Sequence, residues 1–167
     1  AAYAKHALAN DLQEQGAFEE ALELYYQAVE LFTKVGGHDC ISVAQTYCNI
    51  GVVYRKQGKY EKALEYYQKD LDITVRVVGH DHMSVANSRM GIGNVLRSMG
   101  KYEEALVEHQ KALEVFLAVY GQEHRSWYNI ADLQVQHRWP QGGSGRVGRG
   151  TFLISRVRAD ICQRFRR

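Results

Sequence analysis

One segment occurs three times in this chain, and that repetition limits the possible folds more than any other feature. After Gly58 an aromatic residue follows at position 60 and an Ala-Leu pair at positions 63 and 64, and the same arrangement follows Gly16 and Gly100. These glycines are 42 residues apart in both intervals, a period within the range that stacked repeat proteins use. The sequence therefore predicts an array of similar units, each stabilised by its neighbours.

Each unit contains two runs of apolar residues spaced by three and four positions, the period of one helical face. In the first unit, Leu8 and Leu12 mark a short helix that ends at a glycine, and a second helix runs from Phe18 to about position 35. Gly-His-Asp segments at 37–39 and 79–81 form the turns between units. We therefore predict six helices in three antiparallel hairpins. These hairpins span about 2–36, 43–78 and 85–120.

A small residue stands three positions before a large one in each first helix, as Ala9 and Leu12, Gly51 and Tyr54, and Gly93 and Leu96. Together with the Gly-x-aromatic-x-x-Ala-Leu segment, this pattern resembles the tetratricopeptide repeat. The common unit of that family has 34 residues, whereas the 42-residue unit and its Gly-His-Asp links resemble the variant typified by kinesin light chains. The resemblance implies an all-α solenoid, in which three hairpins form a right-handed superhelix.

The same resemblance implies a function, because such arrays are non-catalytic scaffolds or adaptors that bind a peptide of a protein partner in a concave groove. The first helix of each hairpin lines that groove. Amide side chains suit the position, since they both donate to and accept from a peptide backbone. The expected groove residues are His6, Asn10, Gln45, Asn49, Val52, Arg55, Lys56, Asn87, Met90, Asn94 and Arg97, with Tyr3, Gln13, Cys48 and Gly91 beside them.

Two of these amides, Asn10 and Asn49, match the amides of the carboxylate clamp found in chaperone-binding members of the family. The cationic residues of that clamp would fall at His6, Asn87 and Gly91, so the charge that holds a C-terminal carboxylate is missing. We therefore do not expect this chain to bind chaperone tails.

Three cations, Arg55, Lys56 and Arg97, instead favour an acidic or aromatic-acidic peptide, in the manner of kinesin light chain cargo motifs. The alternative interpretation is that these side chains form only a solvated charged face.

Asp70 departs from the repeat, because the other two units have alanine at the same place, Ala28 and Ala112. In tetratricopeptide stacks this place meets position 89 of the next unit, which is arginine here. We predict an ion pair between Asp70 and Arg89. The alternative is two exposed side chains that do not touch.

No group of residues indicates catalysis. His80, Asp81 and His82 are of the types that bind metal ions or carry protons, but segments 38–40 and 122–124 occupy the same place in the other units. We therefore interpret them as turns in which Asp or Ser caps the following helix. The sequence predicts no enzyme activity, no metal site and no cofactor.

The cysteines and hydropathy indicate the compartment. Cys40, Cys48 and Cys162 are an odd number without CxxC spacing, which favours free thiols in a reducing compartment. No run of 18 apolar residues is present. The sequence thus predicts a cytoplasmic protein without a transmembrane segment, and it leaves the oligomeric state open.

Charge divides the chain into two parts. Residues 1–135 hold 13 Lys and Arg against 18 Asp and Glu, whereas residues 136–167 hold eight Arg and one Asp. We predict a repeat domain over 1–135, including a partial fourth unit at 126–136, and a Gly/Arg-rich tail over 136–167. The tail has three interpretations: a site for nucleic acid or anionic membrane, a helix over 151–167 that caps the last repeat, or sequence translated out of frame or from an unspliced segment. Because the chain begins with Ala, a fragment is also expected, and a regulatory segment of a larger enzyme stays an alternative.

Overall fold

The computed structural model describes the backbone of residues 1–120 and the side chains of residues 1–119. The hairpins α1–α2, α3–α4 and α5–α6 stack in chain order, through contacts of α2 with α3 and of α4 with α5. Within this part of the chain, no helix has the length and apolar content needed to cross a membrane. The predicted all-α fold of three hairpins is confirmed. The helices are α1 (Ala2–Gln15), α2 (Phe18–Gly36), α3 (Ile41–Lys56), α4 (Tyr60–Val78), α5 (Met83–Ser98) and α6 (Tyr102–Tyr120).

The repeated glycine forms the turn inside each hairpin. Gly16, Gly58 and Gly100 have φ angles of 83°, 75° and 78°, a left-handed conformation that a side chain would strain. The next residue donates its N–H to a carbonyl five positions earlier, as from Ala17 to Leu12 at 2.9 Å. This bond satisfies a carbonyl that the helix end would otherwise leave unpaired. The motif therefore recurs because each hairpin needs the same turn.

In the first unit the second helix supplies most of the core, whereas in the second unit α3 buries at least as many residues as α4. In the first unit, α2 buries Ala21, Tyr25 and Phe32 among others, whereas α1 buries only Ala9 to the same degree. Leu8, one of the two leucines that mark α1 in the sequence, is 51% exposed. The rotation of α1 turns the neighbouring Ala9 into the core instead.

The starts of α3 and α5 differ from the expected Asp or Ser caps. Cys40 occupies the N-cap of α3 and makes no capping side-chain bond. His82 occupies the N-cap of α5, and its Nδ1 accepts the backbone N–H of Ser84 at 3.1 Å. That prediction is therefore wrong in the residue type, although the turns lie where the sequence placed them.

Four aromatic rings fill the space between α2 and α4, over α3. Tyr26 Oη lies 2.8 Å from Tyr54 Oη and 2.9 Å from Tyr66 Oη, and the Tyr54 and Tyr66 rings stack with centroids 5.5 Å apart. The ring centroids of Tyr47 and Tyr66 lie 5.8 Å apart. Burial, followed by these hydrogen bonds, raises the pKa of Tyr26 far above its ordinary value. We call these four residues the tyrosine cluster.

Candidate functional site

The predicted groove residues lie on α1, α3 and α5, and we call this set the first-helix face. In the structure α1 contacts α3, and α3 contacts α5. Side chains from adjacent units can therefore meet on this face.

Asn10 and Asn49, the amide pair, meet at the first of these junctions. Asn49 Nδ2 donates to Asn10 Oδ1 at 3.0 Å and to His6 Nε2 at 3.0 Å. Asn10 Oδ1 also accepts from Tyr25 Oη at 2.6 Å. Burial, with smaller effects of Cys48 and Glu14, raises the pKa of Tyr25 to about 12, so the hydroxyl keeps the proton that it donates. The structure thus brings together three predicted site residues, His6, Asn10 and Asn49.

His6 is a neutral hydrogen-bond acceptor in this arrangement. Because Asn49 Nδ2 donates to Nε2, the ring proton lies on Nδ1. Burial lowers the pKa of His6, which also favours the neutral ring. His6 therefore supplies no cation here, in agreement with the missing charge at the clamp position.

Tyr67 occupies in the second unit the place that Tyr25 occupies in the first. Its buried ring lies between Gly51 of α3 and Gly91 of α5. A Cβ atom built on Gly51 would lie 3.0 Å from the ring, and one built on Gly91 would lie 2.6 Å from Tyr67 Cδ1. Gly91 is buried, so it contributes close packing to this junction and no surface to a groove.

Arg55 lies beside this ring. Its guanidinium interacts with the Tyr67 hydroxyl, and its Nε is buried without a hydrogen-bond partner within residues 1–119. The side chain as a whole is half-buried. The Tyr67 hydroxyl therefore helps to fix the Arg55 side chain, while the Nε–H donor of Arg55 has no hydrogen-bond partner within residues 1–119.

A buried polar cluster links units two and three. The Asp70 side chain is 4% exposed; its Oδ2 accepts from Ser88 Oγ at 2.7 Å and its Oδ1 from Thr74 Oγ1 at 3.1 Å. The Cys48 thiol lies beside the same carboxyl. Burial raises the pKa of Asp70 to about 6, although the bonds from Ser88, Thr74 and Cys48 partly oppose that rise. We call these four residues the polar cluster.

The predicted ion pair between Asp70 and Arg89 is wrong. Arg89 Nη1 instead contacts Glu108 Oε2 of α6 at 3.0 Å, and Lys111 Nζ contacts the other Glu108 oxygen at 2.6 Å. Successive residues of a helix point about 100° apart, so Ser88 faces α4 while Arg89 turns towards α6. The sequence identified the unusual residue, Asp70, and assigned it the wrong neighbour.

The other predicted groove residues are spread along the face and are not gathered at one point. Gln45, Lys56 and Asn87 are exposed. Val52, Met90, Asn94 and Arg97 are half-buried.

Three residues that support the site were not singled out beforehand: Tyr25, Thr74 and Ser88. Thr74 stands where the other units have Phe32 and Phe116. Threonine in place of phenylalanine, four positions after Asp70, puts a second polar residue on the same face of the helix. This pattern in the sequence indicates a polar cluster.

Metal binding has no support in the described part of the chain. Among residues 1–120, no group of three His, Cys, Asp or Glu side chains is placed to hold a metal ion. The expected boundary at 135, the partial unit at 126–136 and the tail over 136–167 lie outside the described residues.

Comparisons with known proteins agree on the architecture. The family model for the tetratricopeptide repeat matches residues 1–74 and 43–118. A comparison with curated proteins gives no significant match.

Among solved structures, BtubC (BKLC) from P. vanneervenii matches at 25% identity and a TM-score of 0.67, covering 80% of this chain and 51% of that one. The chain thus spans about half the length of that relative. A P. anserina structure, described as putative kinesin light chain nearly identical TPR-like repeats, has 17% identity and a TM-score of 0.64, with 99% and 97% coverage.

The N-terminal domain of stress-induced protein-1 from C. elegans has 19% identity and a TM-score of 0.58, covering 80% of this chain and 94% of that one. Likeness at this low identity concerns the fold. The family-model matches, the glycine turns and the stacked hairpins together show that the chain belongs to the tetratricopeptide repeat family.

Proposed function

We propose that the first-helix face binds an extended peptide of a partner protein at the amide pair, and that the chain acts as a scaffold or adaptor. The supporting observation is unused hydrogen-bonding capacity. Both Nδ2 hydrogens of Asn49 are engaged, by His6 and Asn10, but within residues 1–119 neither Asn49 Oδ1 nor Asn10 Nδ2 has a partner. One atom accepts and the other donates, so a peptide N–H and C=O complement them.

The amide pair is also held in place before any peptide arrives. Tyr25 fixes the Asn10 oxygen, and His6 fixes the Asn49 amide. A binding group whose side-chain rotamers are already ordered loses less conformational entropy on association. The contacts with Tyr25 and His6 therefore favour binding without touching the peptide.

Charge favours an acidic or aromatic-acidic peptide. Arg55 and Lys56 end α3, and Arg55 has a buried Nε without a partner in the described chain. A peptide carboxylate near this point would pair with the positive charge of the half-buried Arg55 and the exposed Lys56, and hydrogen bonds between charged groups are stronger than neutral ones. Arg97 occupies the same place on α5 and extends the positive charge along the face.

A binding titration of the full chain with a short acidic peptide containing one tryptophan tests the proposal. Because an unmade hydrogen bond to a buried partner costs about 1–2 kcal/mol, we expect Asn49→Ala to weaken binding about 5- to 30-fold. Arg55→Gln should weaken binding and reduce its dependence on salt. Lys34→Ala, an exposed change on α2, is the matched control. Equal affinities of the parent and Asn49→Ala, or no binding by either, would refute the proposal.

A further inference from the structure

The side of the array opposite the first-helix face differs between the two junctions. The tyrosine cluster fills the space between α2 and α4. The four positions that follow these tyrosines by 42 residues are occupied by Gln68, Arg89, Leu96 and Glu108. At this second junction an open cleft of about 960 Å³ lies between α4 and α6, over α5. Its lining includes Leu71, Val75, Ile92, Leu96, Arg89 and Glu108, and we call it the α4–α6 cleft.

The cleft combines an apolar floor with a charged rim. Leu71, Ile92 and Leu96 are buried beneath it, and the Arg89–Glu108 pair stands at its edge with side chains 20% and 16% exposed. A volume near 960 Å³ falls in the range of ligand-binding pockets, and the rim is strongly polar, because Gln68, Asp72, Arg76, His80, Glu104 and Lys111 also line it. The apolar floor suits a ring, and the polar rim suits a hydrogen-bonding group on that ring.

We propose that the α4–α6 cleft receives a tyrosine side chain presented by a partner protein. The chain itself fills the equivalent space one unit earlier with tyrosines, whose rings stack and whose hydroxyls hydrogen bond to one another. In the cleft, the ring packs on Ile92 and Leu96, and the Glu108 carboxylate accepts a hydrogen bond from the tyrosine hydroxyl. The Arg89 guanidinium and the Lys111 ammonium lie next to that carboxylate, so the hydroxyl meets a carboxylate whose position is already fixed. This site is independent of the amide pair.

Methyl NMR of the full chain, titrated with N-acetyltyrosinamide and with N-acetylphenylalaninamide, tests the assignment. We expect both probes to shift the methyl signals of Ile92 and Leu96, with the tyrosine probe binding about fivefold more tightly because of one additional hydrogen bond. Glu108→Gln replaces the charged acceptor by a weaker, neutral one, so it should reduce that preference and leave the phenylalanine probe unchanged.

A filled-cleft variant provides the second measurement. Leu96→Tyr with Glu108→Tyr copies Tyr54 and Tyr66 of the first junction and should abolish both sets of shifts. Asn49→Ala, on the opposite side, should leave them unchanged, so failure of the peptide proposal is distinguishable from failure here. Absence of shifts at Ile92 and Leu96, equal binding of the two probes, or unaltered binding after filling the cleft would overturn the proposal. If the double variant does not fold, the comparison of Glu108→Gln with the parent decides alone.

Discussion

The two junctions between units share one backbone arrangement and differ in side-chain chemistry. At the first junction, Asn49 offers an amide to the first-helix face, and tyrosines fill the other side. At the second, Gly91 packs against the Tyr67 ring, the Asp70 carboxyl is buried, and the other side is an open cleft. Equivalent helices thus stack in both places while each junction presents different groups to a partner.

The comparison shows which parts of a repeat carry the stacking. Tyr25 and Tyr67 occupy the same place on the second helix of their units, and both are buried; the Tyr67 ring lies against Gly51 of its own unit, and Tyr25 belongs to the same core cluster as Ala9. The residue contributed by the next unit is free to differ, provided that it leaves the ring in place. Stacking and recognition are therefore separable, and substitutions can test each one by itself.

The largest expected effect on stability comes from adding a side chain at Gly91, where the first junction has Asn49. Gly91→Ala would place a Cβ against a ring that Gly51 already confines from the other side. Because overpacking a tight core costs about 1–3 kcal/mol, we expect a loss of roughly that size in the free energy of unfolding. Chemical denaturation of the parent and the variant measures it.

Asn87→Ala, an exposed change on the same helix, is the control for helix propensity and should have little effect. An unchanged stability of Gly91→Ala would show that the second junction is looser than its contacts indicate, and the contrast between the junctions would then lose its main support.

The buried carboxyl gives an effect that depends on pH, comparable with that of Gly91→Ala at neutral pH and absent at low pH. The folded pKa of Asp70 is raised to about 6, above the ordinary value near 3.9, so the folded state holds the proton more tightly. The contribution of Asp70 to stability is therefore fully present below about pH 4 and is lost as pH rises through about 6. Asp70→Asn keeps the shape without the charge and should be more stable than the parent by about 1–3 kcal/mol at pH 7.5, with the difference vanishing near pH 3.

Thermal melts between pH 3 and 8 follow this difference. His6 has a lowered pKa and contributes the opposite slope, but it is present in both proteins and cancels. Asp72→Asn, exposed on the same helix, is the matched control. A parallel pair of stability curves for the parent and Asp70→Asn would show that this carboxyl does not titrate within the fold.

The smallest expected effect belongs to the tyrosine cluster. Tyr26→Phe keeps the ring and removes the hydroxyl that contacts Tyr54 and Tyr66. The side chain is 39% exposed, so water can replace part of what is lost, and we expect a destabilisation of about 0.5–1 kcal/mol. Tyr60→Phe serves as the control in denaturant titrations. A loss as large as that of Gly91→Ala would mean that the first junction, and not the second, is the more tightly coupled.

The fold was predictable because its signals are local and repeated. The glycine turn, the Ala-Leu pair and the small-to-large spacing each encode a feature of one hairpin, and three copies confirm one another. The contacts between hairpins were less predictable, because adjacent residues of a helix point in different directions and so contact different neighbours. Ser88 and Arg89 are adjacent, yet one reaches Asp70 and the other Glu108.

The candidate site was predictable in position and not in detail. The groove positions of Asn10, Asn49 and His6 followed from the family resemblance. The hydrogen bonds among these three residues depend on the distance between α1 and α3, and so does the contact with Tyr25. That distance cannot be predicted from residue spacing in the sequence. The sequence shows that the second junction has no tyrosine at the four positions equivalent to the tyrosine cluster, but only the structure shows the cleft at that place.

The shallow packing of α1 has a consequence for measurements of exchange. Only Ala9 of that helix is fully buried, and half of the amide pair stands on it. Helices with few buried contacts open locally at a small fraction of the global unfolding free energy, so amide protons of α1 should exchange sooner than those of α3. A peptide held between Asn10 and Asn49 would tie the two helices together. Protection of α1 would then report occupancy of the amide pair, even for a ligand without a fluorescent group.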